Sequence, residues 1–132
     1  MGLKFSNPLG LAAGWDKHGD AIGGGLDLGF AFVEVGSVTP KEQPGNPYPR
    51  VFRLAEDRAV INRYGFNSHG VDRVASNLNE FQNYRESYRH GLVGINAGKN
   101  KETTEEEAHN DYTSVIERSL LPPLPVPHCS SV

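Results

Sequence analysis

Lys17 follows closely on residues with almost no side chain, and that pairing is the first chemistry the chain offers. Leu9 to Gly14 reads LGLAAG, an apolar run that ends in Ala12, Ala13 and Gly14, and charge follows at Asp16, Lys17 and His18. An apolar run that stops at small residues and then charge reads as a buried strand with reactive groups at its carboxyl end. A flat ligand can lie directly on an Ala-Ala-Gly backbone, with the Lys17 ammonium at its edge. The plainer reading is a strand, a tight turn and a solvated lysine. Two further places repeat the pattern. Phe30 to Ser37, FAFVEVGS, is a β-branched and aromatic run that ends in Gly36-Ser37, and Gly91 to Asn96, GLVGIN, ends at Asn96. Between them lies Asn62-Arg63-Tyr64-Gly65-Phe66-Asn67, polar and aromatic together. Asn62 and Asn67 carry amide donors and acceptors suited to a planar ring, and also suit ordinary turns. Tyr64 and Phe66 fit packing on such a ring, or in a core. Asn96 fits a cofactor carbonyl, or simply the end of a strand.

Other chemistries find less support. Asp16, His18, Asp20 and His69 match no familiar metal-ligand spacing. No Ser-His-Asp order or nucleophile elbow occurs. The glycines between Gly23 and Gly29 do not satisfy GxGxxG. Cys129 is the single cysteine, so neither an internal disulfide nor a cysteine-based zinc site is available. Net charge is −3 with no basic stripe, which argues against nucleic acid as a partner. No apolar run reaches membrane-spanning length, and Met1-Gly2-Leu3-Lys4-Phe5-Ser6 is not the start of a signal peptide.

These residues need elements to hold them. The 132 residues suit one modest domain. Leu3 to Phe5 is a short extended piece, and Leu9 to Gly14 is the first core strand. Asp16 to Gly29 reads as a short helix closed by Gly29, weakened by Gly23, Gly24 and Gly25. Phe30 to Ser37 is the second strand, in which Glu34 requires a partner, such as a buried Lys or Arg. Thr39 to Pro49 holds four prolines and is a loop. Val51–Leu54 and Ala59–Asn62 flank a polar turn and read as a hairpin. Val71 to Tyr88 has helical spacing, and Gly91 to Asn96 is the third core strand. Thr104 to Arg118 is a helix with a Thr104/Glu107 capping box and an apolar face of Ala108, Tyr112, Val115 and Ile116. Strands alternating with helices imply a parallel sheet with right-handed crossovers. The class is α/β. The order fits a partial (β/α)8 TIM-type barrel: its first three strand–helix units, with a β-hairpin insert and chemistry at the carboxyl face. A doubly wound sheet is the alternative. Residues 119–132, ending LLPPLPVPHCSSV, break the pattern and read as a disordered Pro-rich tail.

NPLGLAAGWDKHG, GFAFVEVGSVTPKEQPGNPYPRVFRL, AVINRYGFNSHG and GINAGKNK together resemble the amino-terminal part of the barrel of a dihydroorotate dehydrogenase, of the quinone-dependent, membrane-associated class. The resemblance runs from about Leu3 to Arg118. It implies a β/α barrel that holds FMN and oxidises dihydroorotate to orotate, with a quinone reoxidising the flavin. Ala12, Ala13, Gly14, Lys17, Gly36, Ser37 and Asn96 would then meet the flavin. Lys17 and Asn62, Arg63, Tyr64, Gly65 and Phe66 would hold dihydroorotate or orotate, and Arg53 would face the quinone. The family's catalytic base is a serine in a motif like VNVSSPNT. This sequence contains no such segment, and Ser130 and Ser131 in HCSSV lack its surroundings. The expectation is therefore an inactive amino-terminal fragment lacking the membrane anchor. Its alternative is a non-catalytic product that binds a ligand or partner. By resemblance the compartment is the mitochondrial inner membrane, or the bacterial one in a prokaryote.

Overall fold

A computed structural model describes residues 2–120. Three strands run parallel, in the order β1 (Gly10–Leu11), β2 (Phe32–Val38), β5 (Leu92–Ala97). The helices α1 (Ile22–Asp27), α2 (Val71–Asn83) and α3 (Ala108–Leu120) connect or follow them. β3 (Val51–Leu54) and β4 (Ala59–Asn62) form a separate antiparallel hairpin between β2 and α2. The element order is the strand–helix alternation read from the sequence, and the hairpin bounds coincide with those expected.

β2 is central, paired with β1 on one side and β5 on the other, and it carries the core. Val33, Val35 and Val38 are fully buried, as are Ile22 and Leu26 of α1, Val74 of α2 and Val115 of α3. These residues form one core cluster with Val71, Leu78 and Phe81. α1 lies close enough to the sheet that a Cβ built on Gly25 would stand 2.8 Å from a methyl of Val33. The glycines that weaken α1 on propensity thus permit its packing.

Several element boundaries differ from expectation. β1 is only two residues long. Beyond it the chain still follows β2, but Ala13 N–H is bonded by the Glu34 carboxylate, a side chain, in place of a ladder carbonyl (3.1 Å). α1 starts six residues late because the Asp16 carboxylate accepts the N–H groups of Gly19, Asp20 and Ala21 (2.9, 3.0 and 2.9 Å). Such local capping competes with helix. Among the described residues no three acidic, His or Cys side chains group as a metal site. α2 ends at Asn83, and a 3₁₀ turn at Arg85–Ser87 carries Tyr88 back against Phe81, with ring centroids 5.8 Å apart. α3 starts at Ala108, after a turn in which Thr104 Oγ accepts the Glu107 N–H at 3.4 Å. Of its expected apolar face only Val115 is buried, whereas Tyr112 and Ile116 are exposed. α3 packs on α2 and β5. It continues through Ser119 and Leu120, two residues past its expected end. The rest of the Pro-rich tail, with Cys129, Ser130 and Ser131, lies outside the described residues.

The loops at the carboxyl ends of the strands are tied to one another. Ser68 and Gln43 exchange backbone bonds of 2.9 Å. The Asn100 amide accepts the Lys41 N–H and donates to the Lys41 carbonyl (3.0 and 2.9 Å). Among the described residues no helix is long and apolar enough to cross a membrane.

Candidate functional site

A cleft of about 440 Å³ opens at the carboxyl end of the sheet. Ala13, Gly14 and Lys17 reach it from the segment after β1, and Ser37 from the end of β2. Asn62 at the end of β4 and Arg63, Tyr64, Gly65 and Phe66 beyond it form the opposite wall. Nine of the residues read from the sequence or its resemblance as cofactor or substrate residues therefore share one hollow with Asn46: Ala13, Gly14, Lys17, Ser37 and Asn62 through Phe66. Ala12, Gly36 and Asn96 do not line it. Gly36 is buried behind it, and its N–H is bonded to the Asp16 carbonyl (3.1 Å) while its carbonyl accepts the Gly14 N–H (2.8 Å). Asn96 stands one layer back and accepts the Ser37 hydroxyl at 2.5 Å. Arg53 lies away from the cleft on the exposed hairpin, opposite Val60.

Glu34 is the residue that holds the strand ends together. One oxygen accepts Ala13 N–H at 3.1 Å and the other accepts the Asn96 amide at 3.4 Å. The partner required by a carboxylate within a strand is thus a backbone N–H and an amide, and neither Lys nor Arg supplies it. The register of β2 on β5 slips between Gly36 and Val38, and Ser37 sits at that irregularity. Bulges of this kind re-aim side chains beside functional sites.

The bed itself is open. A Cβ built on Gly14 would meet no atom within 4 Å, so a flat ring has room above Gly14 and Ala13. The polar groups at its margin are the Ser37 hydroxyl, the Asn96 amide behind it and the Lys17 ammonium. That set of donors and acceptors suits a planar heterocycle with ring carbonyls.

Lys17 Nζ lies 5.3 Å from the centre of the Tyr64 ring. Its pKa is lowered from the usual 10.5, first by burial and then by the Arg50 guanidinium. Neighbouring His18 stacks on His69, with centroids 3.8 Å apart and planes 6° from parallel. Its pKa is lowered from 6.5, chiefly by burial and then by His69, against the opposing pull of Asp20 and Asp16. His18 Nδ1 is buried without a hydrogen-bond partner.

The opposite wall is shaped by backbone. Gly65 has φ +74, and a Cβ there would stand 2.7 Å from the Asn46 side chain. The Asn46 N–H bonds the Tyr64 carbonyl and its amide bonds the Arg63 carbonyl, both at 2.8 Å. The Arg63 guanidinium is spent on the Pro49 carbonyl (2.8 and 3.1 Å). Phe66 is exposed, at φ +54. Asn67 is half-buried outside the cleft lining, its Oδ1 without a partner. Sequence reasoning missed Asn46, Arg50 and the role of Glu34. The turn-rich QPGNPYP segment marked a loop, and nothing local marked Asn46 as facing a site.

The dihydroorotate dehydrogenase family profile matches residues 1–120. The chain is 51% identical over 118 residues to a dihydroorotate dehydrogenase (quinone) of Pseudomonas paraeruginosa, covering 89% of this chain and 33% of that protein. It is 54% identical to the protein of the same name from Burkholderia multivorans, covering 89% of this chain and 32% of the relative. A crystal structure of DHODH from Eimeria tenella in complex with ferulenol superposes with a TM-score of 0.82 at 48% identity, over 89% of this chain and 32% of that one. The chain thus spans about a third of the length of these relatives. Its three parallel strands, their helices and the hairpin insert are part of the α/β barrel of those structures. With that agreement in sequence and in fold, the chain belongs to the dihydroorotate dehydrogenase family.

Proposed function

We propose that this chain supplies the flavin bed and the substrate wall of a quinone-dependent dihydroorotate dehydrogenase. One observation carries the reading: Ala13, Lys17, Ser37 and the segment Asn62 to Phe66 come from three separate stretches and line one cleft. Ala13 and Gly14 are the bed for FMN, with Ser37 at its margin and the Asn96 amide behind Ser37; Ala12 and Gly36, which do not line the cleft, adjoin them in the chain. When bound, the flavin supplies the two-electron redox chemistry that turns dihydroorotate into orotate. Lys17 binds at the meeting of cofactor and substrate, where its ammonium offsets the substrate carboxylate and negative charge developing on the ring. Asn62 reads the pyrimidine amide groups. The Tyr64–Phe66 backbone fixes the ring's position.

Arg53 is proposed to face the quinone. It is flanked on an exposed hairpin by Val51, Phe52, Val60 and Ile61, all substantially exposed, a surface suited to an apolar acceptor. Quinone dependence supports association with a membrane. The Pseudomonas and Burkholderia relatives are bacterial, and they lend no support to the mitochondrial inner membrane.

The test is to titrate the chain with FMN, following flavin fluorescence, and then to add dihydroorotate anaerobically. Saturable FMN binding is expected, with orotate binding weakened by Lys17→Ala about tenfold or more, as befits loss of a charge-assisted contact. Sustained turnover is not expected, because the sequence holds no segment like VNVSSPNT to furnish a base. Failure to bind FMN at any concentration would refute the flavin-bed reading, and steady turnover would refute the inactivity of the chain alone.

A further inference from the structure

Arg50 stands outside the cleft lining, yet Asn46, Arg63 and Tyr64 of the cleft all contact it. It is 8% exposed, unusual for an arginine unless paired, and no carboxylate pairs with it among the described residues. Its Nη1 donates to the Pro44 and Asn46 carbonyls (2.7 and 3.2 Å), and its Nη2 donates to the Tyr48 hydroxyl (3.1 Å). Its guanidinium lies 4.4 Å from the centre of the Tyr48 ring and 4.9 Å from that of Tyr64. Its own carbonyl accepts the Arg63 N–H at 2.8 Å. The Tyr64 ring therefore has two cations over it, Arg50 and Lys17.

We propose that Arg50 is a positioning residue for substrate recognition: its buried guanidinium clamps the Pro44–Tyr48 loop to Tyr64, and through that ring and loop it sets the placement of Lys17 and of the Tyr64–Phe66 backbone toward an anionic ligand. This rests on the functional reading above. Its chemistry is specific to arginine. A planar fork reaches two carbonyls and a hydroxyl while stacking on aromatic faces, and a lysine ammonium cannot do all three. A buried cation without a carboxylate partner also leaves its charge free to act on the cleft. The lowered pKa of Lys17, to which Arg50 contributes, agrees with that field.

The full chain is compared with Arg50→Gln and Tyr48→Leu, the latter at an exposed position suited to folding. The first readout needs no ligand: the pH at which the Lys17 amine is half-reactive in competitive labelling, read by peptide mass spectrometry. Arg50→Gln is expected to raise it, which a purely structural loss at a distance from Lys17 would not do. The second readout is orotate and FMN affinity. Arg50→Gln is expected to weaken orotate about tenfold while changing FMN less than about twofold, an asymmetry set by loss of the clamp on one wall only. Tyr48→Leu is expected to weaken orotate in the same sense and to speed amide exchange at Asn46, whose N–H bonds Tyr64. A folded Arg50→Gln with unmoved Lys17 reactivity overturns the proposal. So does Tyr48→Leu with unmoved Asn46 exchange, should Arg50→Gln fail to fold. If the unmodified chain binds neither ligand, the functional reading falls, while Lys17 reactivity and Asn46 exchange still decide the role of Arg50.

Discussion

Single side chains here act by holding others. Glu34 accepts from Ala13 and from Asn96, and Asn96 in turn accepts from Ser37. Glu34→Gln would bring an amide donor against one of two donors. Either Ala13 N–H loses its partner, or Asn96 turns its amide and Ser37 must change from donating to accepting, leaving its hydroxyl hydrogen to find another partner. An unmet buried donor costs about 1–3 kcal/mol, so FMN affinity is expected to fall correspondingly in a fluorescence titration, with the fold retained by circular dichroism. His18 sets a pH dependence. Its folded pKa lies below the unfolded 6.5, so the unfolded chain binds more protons in that interval. Stability is then complete above pH 6.5 and is lost as the pH falls through 6.5 toward the lower folded value. Melting temperature should drop between pH 7.5 and 5.5, and His18→Phe, which keeps a ring on His69 without a titrating group, should flatten that drop. An equal slope in both proteins would remove His18 as its source.

At the scale of the element, α1 separates packing from propensity. Two adjacent glycines meet different surroundings. A Cβ on Gly24 meets nothing within 4 Å, whereas one on Gly25 stands 2.8 Å from Val33 and 3.5 Å from Leu11. Gly24→Ala should therefore stabilise by about 0.5–1 kcal/mol, the backbone entropy removed. Gly25→Ala gains the same and loses about 1–3 kcal/mol to overpacking, a net destabilisation. Urea unfolding of the two variants checks the sign of each. The same packing explains why the helix expected from Asp16 begins only at Ile22: the Asp16 side chain binds the N–H groups that a helix would have used. In α2 the periodicity of Val71, Val74, Leu78 and Phe81 was legible because it is local, and all four are in the core.

The whole molecule buries one core but leaves much apolar surface. Ile116 is 52% exposed and Leu120 77% on α3, and Val60 and Ile61 are more than half exposed on the hairpin. Among the described residues β1 and β5 each present an unpaired edge. Unpaired edges and apolar faces favour association. The chain should therefore sediment as a concentration-dependent mixture of species, and Ile116→Glu should shift it toward monomer; a monodisperse monomer at high concentration would count against this.

The sequence by itself determined the alternation of strand and helix, the hairpin, and the small or amide residues closing each core strand. Side-chain period and turn chemistry act over a few neighbours, so they are written locally. The family resemblance added the roles expected of Lys17 and of Asn62 to Phe66. Only tertiary structure decided that Glu34 would join Ala13, 21 positions away, to Asn96, 62 positions away. It alone buried Arg50 between two tyrosines, laid His18 on His69, and left Arg53 outside the cleft. Those outcomes depend on which segments the sheet brings together, and no local pattern encodes a meeting of residues that distant in the chain.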